Sequence, residues 1–166
     1  MKRITVVLLC AAFFLPAIVF PSVAAAAPAH DAAARFGDVE GREWLLLEIR
    51  RGAETVNMDR ENLAEYGFGE IYTIQFENGR VSGMGAPNRF FGPYTVGSNR
   101  SLRIGSADGA MASTLMMPLV EPEVLREHEY FAYLSRVARW DLRQGNLELF
   151  TSSEDGAETV LVFGPK

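Results

Sequence analysis

The sequence predicts a mainly β protein in which about eight short strands form a sheet closed on itself, with one helix late in the chain. Segments rich in aliphatic, aromatic and β-branched residues recur roughly every 8–12 residues, and glycine, asparagine or aspartate separates them. Only residues 121–137 combine an acidic, proline-containing first turn with apolar residues at the helical period. A length of 166 residues is sufficient for one domain with a buried core.

The start of the chain is typical of a secretory signal peptide. Lys2 and Arg3 precede an apolar run that ends at Phe20, and small residues, mainly alanine, follow. A positive start, an apolar centre and a small-residue exit predict cleavage after Ala26, or alternatively after Ala29. An uncleaved anchor is the competing interpretation, but the run is shorter than the roughly 20 residues that span a bilayer. We therefore expect an exported protein of the periplasm or cell envelope.

After this signal peptide, residues 1–26, the chain divides into a lead-in and one domain. Residues 27–39 are alanine-rich without clear periodicity, so we expect a flexible segment before a domain over residues 40–166. The single cysteine lies in the signal peptide, so the mature chain can form no disulfide. The net charge of −5 becomes more negative when Lys2 and Arg3 are removed. Such a chain, without a basic run, argues against nucleic acid and anionic membranes as partners. We expect a monomer with no stable membrane span.

The first elements of the domain are a strand and a short helix. The strand is expected over residues 43–51, and because side chains alternate across a strand, Leu45, Leu47 and Ile49 share one face. We expect that face to be the core face. Asp59 then occupies a capping position for a helical turn, which the glycines after Tyr66 end.

The centre of the chain is a hairpin followed by a shaped loop. An alternating strand over residues 71–76 leads into Asn78-Gly79, a strong signal for a two-residue hairpin. We expect the returning strand at Val81, a loop over residues 84–89 and another strand that leaves near Tyr94.

Glycine and asparagine shape this central loop. Gly83, Gly85 and Gly92 can take backbone angles that are closed to other residues. Asn88 can hydrogen-bond to backbone groups close to itself.

The remaining elements follow in order. Short strands are expected over residues 101–104 and 114–117, before the helix. On the helix, one apolar stripe is expected to face the core: Val124, His128, Phe131 and Leu134. Three further strands are expected at residues 137–142, 146–151 and 159–163, and we expect the last to return to the core sheet.

The central stretch also carries a recognisable order of residues: Val81, Gly83, Asn88, Arg89, Phe90, Gly92 and Tyr94. Further pieces of the same pattern follow at residues 101–104, 111–116, 127–134 and 147–149. Together they cover about residues 40–163, and the pattern resembles the META domain (HslJ-like) family. The resemblance implies a small β-barrel-like domain with one helix packed across it, and the family's heat-shock label implies a role in envelope stress. Many relatives carry cysteines where this chain has Pro87 and Pro118, so any disulfide of those relatives is absent here.

No group of residues in the sequence predicts an enzyme. A Ser–His pair needs a histidine held by a third group, and beyond the lead-in only His128 is available. Glu123, Glu127, His128 and Glu129 lie within two helical turns, but they do not converge as a metal site requires. We expect an acidic solvated face there, with His128 at the core boundary, and no metal or cofactor. A carboxylate pair of the glycosidase type stays open, because the acids are numerous.

Two interpretations of the central loop remain open. In the structural one, Asn88 holds the loop and nearby aromatic residues fill the barrel. In the functional one, Met84, Arg89 and Phe91 are exposed and form a recognition patch with Asn88.

The same choice applies to three methionines further along. They are interpreted as core filler, although soft methionine surfaces accept varied partners: Met111, Met116 and Met117. We expect a non-enzymatic module that binds another envelope protein or an apolar ligand. The alternatives are a structural or inhibitor-like accessory domain and, less favoured, an acid/base hydrolase.

Overall fold

The computed structural model describes residues 33–118, 122–152 and 157–166, which form one small domain. The strands are β1 (Glu43–Arg51), β2 (Glu54–Asn57), β3 (Thr73–Glu77), β4 (Arg80–Met84), β5 (Arg89–Val96), β6 (Leu102–Ile104), β7 (Ala112–Ser113), β8 (Val137–Arg143), β9 (Asn146–Ser152) and β10 (Glu158–Pro165). The α-helices are α1 (Arg60–Glu65) and α2 (Glu127–Ser135), and short 3-10 turns lie at Phe36–Asp38 and Ser98–Arg100. The expected signal peptide lies outside the described residues.

The strands form one antiparallel sheet that nearly closes into a barrel. Its order is β6-β5-β4-β3-β1-β10-β9-β8, with β2 paired to β1 and β7 paired to β5. An isolated bridge between Ser101 and Arg139 joins the two end strands. The prediction of a mainly β, barrel-like domain is confirmed, with ten strands in the described part of the chain. The sequence analysis missed β2, and it placed β7 two residues too late, at residues 114–117.

Local turn and cap signals were predicted correctly. Asn78 and Gly79 have positive φ values of 49° and 76° and connect β3 to β4 as a two-residue loop. Asp59 caps α1, because its carboxylate accepts a hydrogen bond from the Asn62 N–H at 3.1 Å. Gly67 ends that helix with a φ of +82°.

The core face of β1 is the opposite of the expected one up to Leu46, whereas Ile49 is buried as expected. Trp44 and Leu46 are buried, whereas Leu47 is exposed. The pairing of β1 with β10 shifts between Leu46 and Glu48, so Leu47 is an extra, bulged residue. The bulge reverses the alternation and brings Ile49 into the core as well. The Trp44 indole N–H donates to the Val39 carbonyl at 2.9 Å, which satisfies its polar atom inside the core.

Helix α2 is shorter than expected, and the expected apolar stripe is correct in part: Leu134 is buried, and Val124 and Phe131 pack against the core. It begins after Arg126, whose N–H donates to the Glu129 carboxylate at 2.9 Å. Tyr130 and Leu134 are its buried residues, and His128 is exposed rather than at the core boundary. Because Val137 already pairs in β8, the helix ends two residues before it.

The packed part of the chain starts within the expected lead-in. Val39 is fully buried. The Phe36 ring lies 5.3 Å from that of Phe76, 5.4 Å from that of Tyr94 and 5.1 Å from that of Trp140, measured between centroids. These aromatic contacts close one end of the barrel.

The central glycines serve close packing and not unusual backbone angles. None of Gly83, Gly85 and Gly92 has a positive φ, so the structure does not use the backbone freedom noted from the sequence. A Cβ on Gly83 would lie 2.0 Å from the Thr73 carbonyl oxygen and 2.7 Å from the Phe90 ring. β4 therefore approaches β3 and the core more closely than any side chain permits at this position.

We expect Gly83→Ala to destabilise the domain by about 3 kcal/mol or more, because backbone and ring must both move to admit the methyl group. Gly37→Ala is the matched control, since a Cβ there has no neighbour within 4 Å and φ is not positive. The control should change the free energy of unfolding by less than about 0.5 kcal/mol. Urea unfolding of both variants measures the difference, and equal values would contradict the close-packing argument.

Candidate functional site

The loop between β4 and β5 is a tight four-residue connection, residues 85–88. The Gly85 N–H donates to the Asn88 carbonyl at 2.6 Å, and the peptide bond between Ala86 and Pro87 is cis. The tight turn directs the backbone N–H groups of Ala86 and Asn88 toward α2. Those groups need acceptors, because Ala86 and Asn88 are buried.

The Asn88 side chain is buried and fully hydrogen-bonded. Its Nδ2 donates to the Met116 carbonyl at 3.0 Å and to Glu127 Oε2 at 2.7 Å. Its Oδ1 accepts from the Met116 N–H at 2.7 Å and from Thr114 Oγ1 at 2.8 Å. Two donors and two acceptors are the whole capacity of an asparagine amide. Asn88 therefore joins the loop both to the segment after β7 and to helix α2.

Glu127 accepts the remaining hydrogen bonds of the loop. Its Oε1 accepts from the Ala86 N–H at 2.7 Å and from the Asn88 N–H at 2.6 Å. A Cβ on Gly85 would lie 2.5 Å from the same oxygen, so only glycine admits the carboxylate here. We name this arrangement of Glu127 and Asn88 the Glu127 clamp.

The sequence analysis assigned Glu127 to a solvated acidic face, and it missed this role. Among the residues that the structure describes, no three acids, histidines or cysteines are grouped as a metal site. The clamp residues are 39 positions apart, so no local pattern indicates that they meet.

A second polar connection lies behind the clamp, inside the barrel. The Tyr130 hydroxyl donates to the Thr73 carbonyl at 3.0 Å, and Thr73 Oγ1 accepts from the Met84 N–H at 3.2 Å. Burial raises the pKa of Tyr130 well above its usual value, so the hydroxyl keeps the proton that it donates. The Phe90 and Tyr130 rings pack edge to face at 6.0 Å. Strands β3, β4 and helix α2 are thereby held together under the loop.

The four residues proposed from the sequence do not share one side of the barrel wall. Asn88 is 5% exposed and faces inward. Met84 is half-buried, Arg89 is exposed and Phe91 is 45% exposed, with the Arg80 guanidinium 5.6 Å from its ring centre. Met84 and Arg89 are cross-strand partners, so three of the four residues share the outer surface of β4 and β5.

Beside that surface, three consecutive apolar residues project into solvent. Leu115, Met116 and Met117 are 94%, 54% and 89% exposed, and we name them the apolar tip. The interpretation of Met116 and Met117 as core filler was therefore wrong, whereas Met111 does pack against the core. The clamp binds the Met116 backbone at both its N–H and its carbonyl, so the main chain at the tip is held in place.

The open question of a catalytic carboxylate pair can be tested on a buried pair in the sheet. Asp141 and Glu148 are buried and directly opposite each other on β8 and β9. The Arg143 Nε lies 3.3 Å from Asp141 and 3.2 Å from Glu148, Arg50 lies 3.0 Å from Glu148, and Arg100 pairs with Asp141. Guanidinium groups occupy the oxygens that would have to exchange protons with a substrate, which is unsuited to acid/base catalysis.

Comparison with known proteins identifies a family model and solved structures that are similar to this chain. The META domain model matches residues 37–163. A protein from Burkholderia xenovorans, solved by NMR, is similar with a TM-score of 0.62 and 18% identity over 92% of this chain and 99% of that chain. A DUF4847 family protein from Bacteroides vulgatus, solved by crystallography, is similar with a TM-score of 0.49 and 13% identity over 78% of this chain and 95% of that chain. No curated protein matches this chain. At 18% identity, the similarity to the Burkholderia xenovorans protein bears on the fold alone.

We expect Asn88→Ala to destabilise the domain by about 1–3 kcal/mol, because it leaves the Met116 N–H, the Met116 carbonyl and one Glu127 oxygen without their partner. Arg89→Ala, at the next and exposed position, is the control and should cost much less. Thermal melts of the two variants test the clamp. Equal and negligible shifts would show that the hydrogen bonds of Asn88 do not stabilise the fold.

Proposed function

The chain belongs to the META domain family over residues 37–163, and we propose that it is a non-enzymatic binding module that recognises an apolar partner beside the Asn88 loop. The observation that carries this proposal is the apolar tip. Three adjacent apolar side chains remain in solvent although a buried hydrogen-bond network holds the backbone that bears them. Exposed apolar surface of this kind marks interaction sites.

The surroundings of the tip enlarge the same surface. Phe91 and Ala112 are cross-strand partners on β5 and β7, and the chain reaches the tip two residues after Ala112 and Ser113. Thr114 connects the two, because its N–H donates to the Arg89 carbonyl at 3.0 Å. Phe91 and the tip therefore lie on adjoining segments of one face. A partner with an apolar surface would cover both and release the water that they now order.

Several features support binding over catalysis. The one histidine within the described ranges, His128, is exposed on α2. The buried acid pair, Asp141 and Glu148, is held by arginines. The polar network of the clamp joins backbone segments and presents no free nucleophile. These features suit a rigid platform for recognition, and an envelope-stress role, taken from the family resemblance, is part of the proposal.

We expect Phe91→Ala to reduce capture of the partner from the native envelope fraction while the melting temperature stays nearly unchanged. Phe90→Ala is the contrasting variant: Phe90 is buried, so its loss should cost about 3–5 kcal/mol. Tyr66→Ala removes an exposed aromatic residue elsewhere and should leave capture intact. Co-purification with the tagged parent and variants is the measurement. Undiminished capture by the Phe91 variant, or a hydrolase activity lost with Asp141 or Glu148, would refute the proposal.

Export is the second part of the proposal, and it rests on the sequence of the first residues. No helix in the described ranges has the length and apolar character to cross a membrane. We expect the mature protein to begin at Ala27, or alternatively at His30, because cleavage follows a small residue. Intact-mass spectrometry of envelope material should find the shortened chain. Recovery of full-length protein alone in the membrane pellet would support the uncleaved anchor.

A further inference from the structure

The outer face of β4, β5 and β6 carries positive charge with no acid of its own. Arg80, Arg89 and Arg103 are exposed on these strands, and we name them the arginine row. The three strands contain no aspartate or glutamate. Glu77 lies opposite Arg80 at the hairpin, but no carboxylate among the described residues forms an ion pair with any member of the row.

On the opposite half of the barrel, several arginines form ion pairs. On β1 and β8, three arginine side chains pair with acids: Arg50 with Glu48 and Glu148, Arg139 with Glu158, and Arg143 with Asp141 and Glu148. Arg100, in the turn between β5 and β6, pairs with Asp141 of β8. Among the described residues, several arginines on one side of the barrel are therefore paired with acids, whereas those of the arginine row are not.

The same separation is present in the sequence once the fold shows where to look. Residues 78–120 contain four arginines, of which Arg100 pairs with Asp141, and a single acid, Asp108, in a chain with 21 acidic residues. The carboxylate of Asp108 accepts from Ser106 Oγ at 2.8 Å and from the Ala110 N–H at 3.2 Å, within its own loop. Although the net charge of the whole chain is negative, this segment therefore carries a local excess of positive charge.

The apolar tip lies at one end of the arginine row. The Arg89 N–H donates to Thr114 Oγ1 at 3.1 Å, which places Leu115 next to the strand that bears Arg89. From Arg89 the face continues along β5 to Thr95, the partner of Arg103, about 20 Å away at the usual rise per residue. A projecting apolar loop and a line of cations therefore share one side of the protein.

The shape of this face suits a flat partner better than an extended peptide. Both edges of β5 are already paired, to β4 on one side and to β6 and β7 on the other, so a peptide strand cannot be added there. One cleft of about 500 Å³, lined by Asn62, Tyr66 and Phe68, contains no residue of this face. Another of about 400 Å³ lies between β6 and β8, and Thr95 and Arg103, at the end of the row, are part of its lining.

We propose that the partner recognised by this face is the surface of an anionic lipid bilayer, with the apolar tip entering the acyl boundary and the arginine row contacting lipid phosphates. This inference rests on the proposed function and specifies its partner. Apolar side chains gain by leaving water for the acyl boundary, and cations near an anionic surface add electrostatic attraction. It replaces the expectation from overall charge, which argued against anionic membranes.

Vesicle co-sedimentation tests the inference. The parent chain should bind vesicles of phosphatidylcholine and phosphatidylglycerol more tightly than vesicles of phosphatidylcholine alone, and added salt should weaken the binding. Because the apolar N-terminal run would itself bind lipid, every variant is compared in the same processed form, established by intact mass.

Two double variants separate the apolar and the electrostatic contributions. Leu115→Ser with Met117→Ser should lower the partition coefficient by about tenfold or more, since both side chains leave the acyl boundary. Arg89→Gln with Arg103→Gln should lower it by about tenfold or more on anionic vesicles only. Neither should shift the melting temperature, because all four side chains are exposed.

The matched control changes the net charge equally on another part of the surface. Arg35→Gln with Arg42→Gln should leave the partition coefficient within about twofold, since a partner that meets only the arginine row is screened from distant charges. An equal loss in the control, or no preference of the parent for anionic vesicles, would overturn the inference.

A photo-reactive amino acid in place of Leu115 distinguishes failure of the lipid inference from failure of the proposed binding function. Cross-linking of the tip to a protein in envelope material, without binding to anionic vesicles, would reject the lipid surface and retain a binding module. Absence of both would reject the binding module as well.

Discussion

The carboxylate of Glu127 is the interaction on which the arrangement of this domain depends. A tight loop between two core strands leaves backbone N–H groups buried, and each must find an acceptor. Glu127, in the first turn of α2, supplies one oxygen to two of them and the other to Asn88. A charged acceptor strengthens these bonds relative to neutral ones. The helix is thereby attached to the barrel, and Asn88 is oriented to bind the segment after β7.

A consequence of this attachment is a division between a polar interior network and an apolar exterior. Since Asn88 satisfies the Met116 backbone, the neighbouring side chains need not pack inward to hold their segment in place. They remain available at the surface beside Phe91. The distribution of charge follows the same division of the barrel. Within the described residues, ion pairs lie mainly on one half, and the arginine row, without a carboxylate partner, lies on the half that bears the apolar tip.

Features that depend on neighbours in the chain were correctly predicted from the sequence. The Asn78-Gly79 hairpin, the Asp59 cap and the mainly β, barrel-like class all follow from local backbone preferences and from the spacing of short strands. For the candidate site, the order of residues around Asn88 indicated the right loop. It left open which side chains were inside. Asn88 proved to be buried and Phe91 largely exposed, because strand alternation places Phe90 in the core.

By itself, then, the sequence determined the class of the fold, its turns and the family to which it belongs. Tertiary structure alone decided features that arise between residues far apart in the chain. A bulge at Leu47 set the core face of β1, and the approach of β3 made a glycine necessary at residue 83. The meeting of Glu127 with Asn88 and the exposure of Met117 likewise depend on how helix, loop and strands pack. Periodicity describes one segment at a time, whereas these contacts exist only after the barrel has closed and its buried polar groups have found partners.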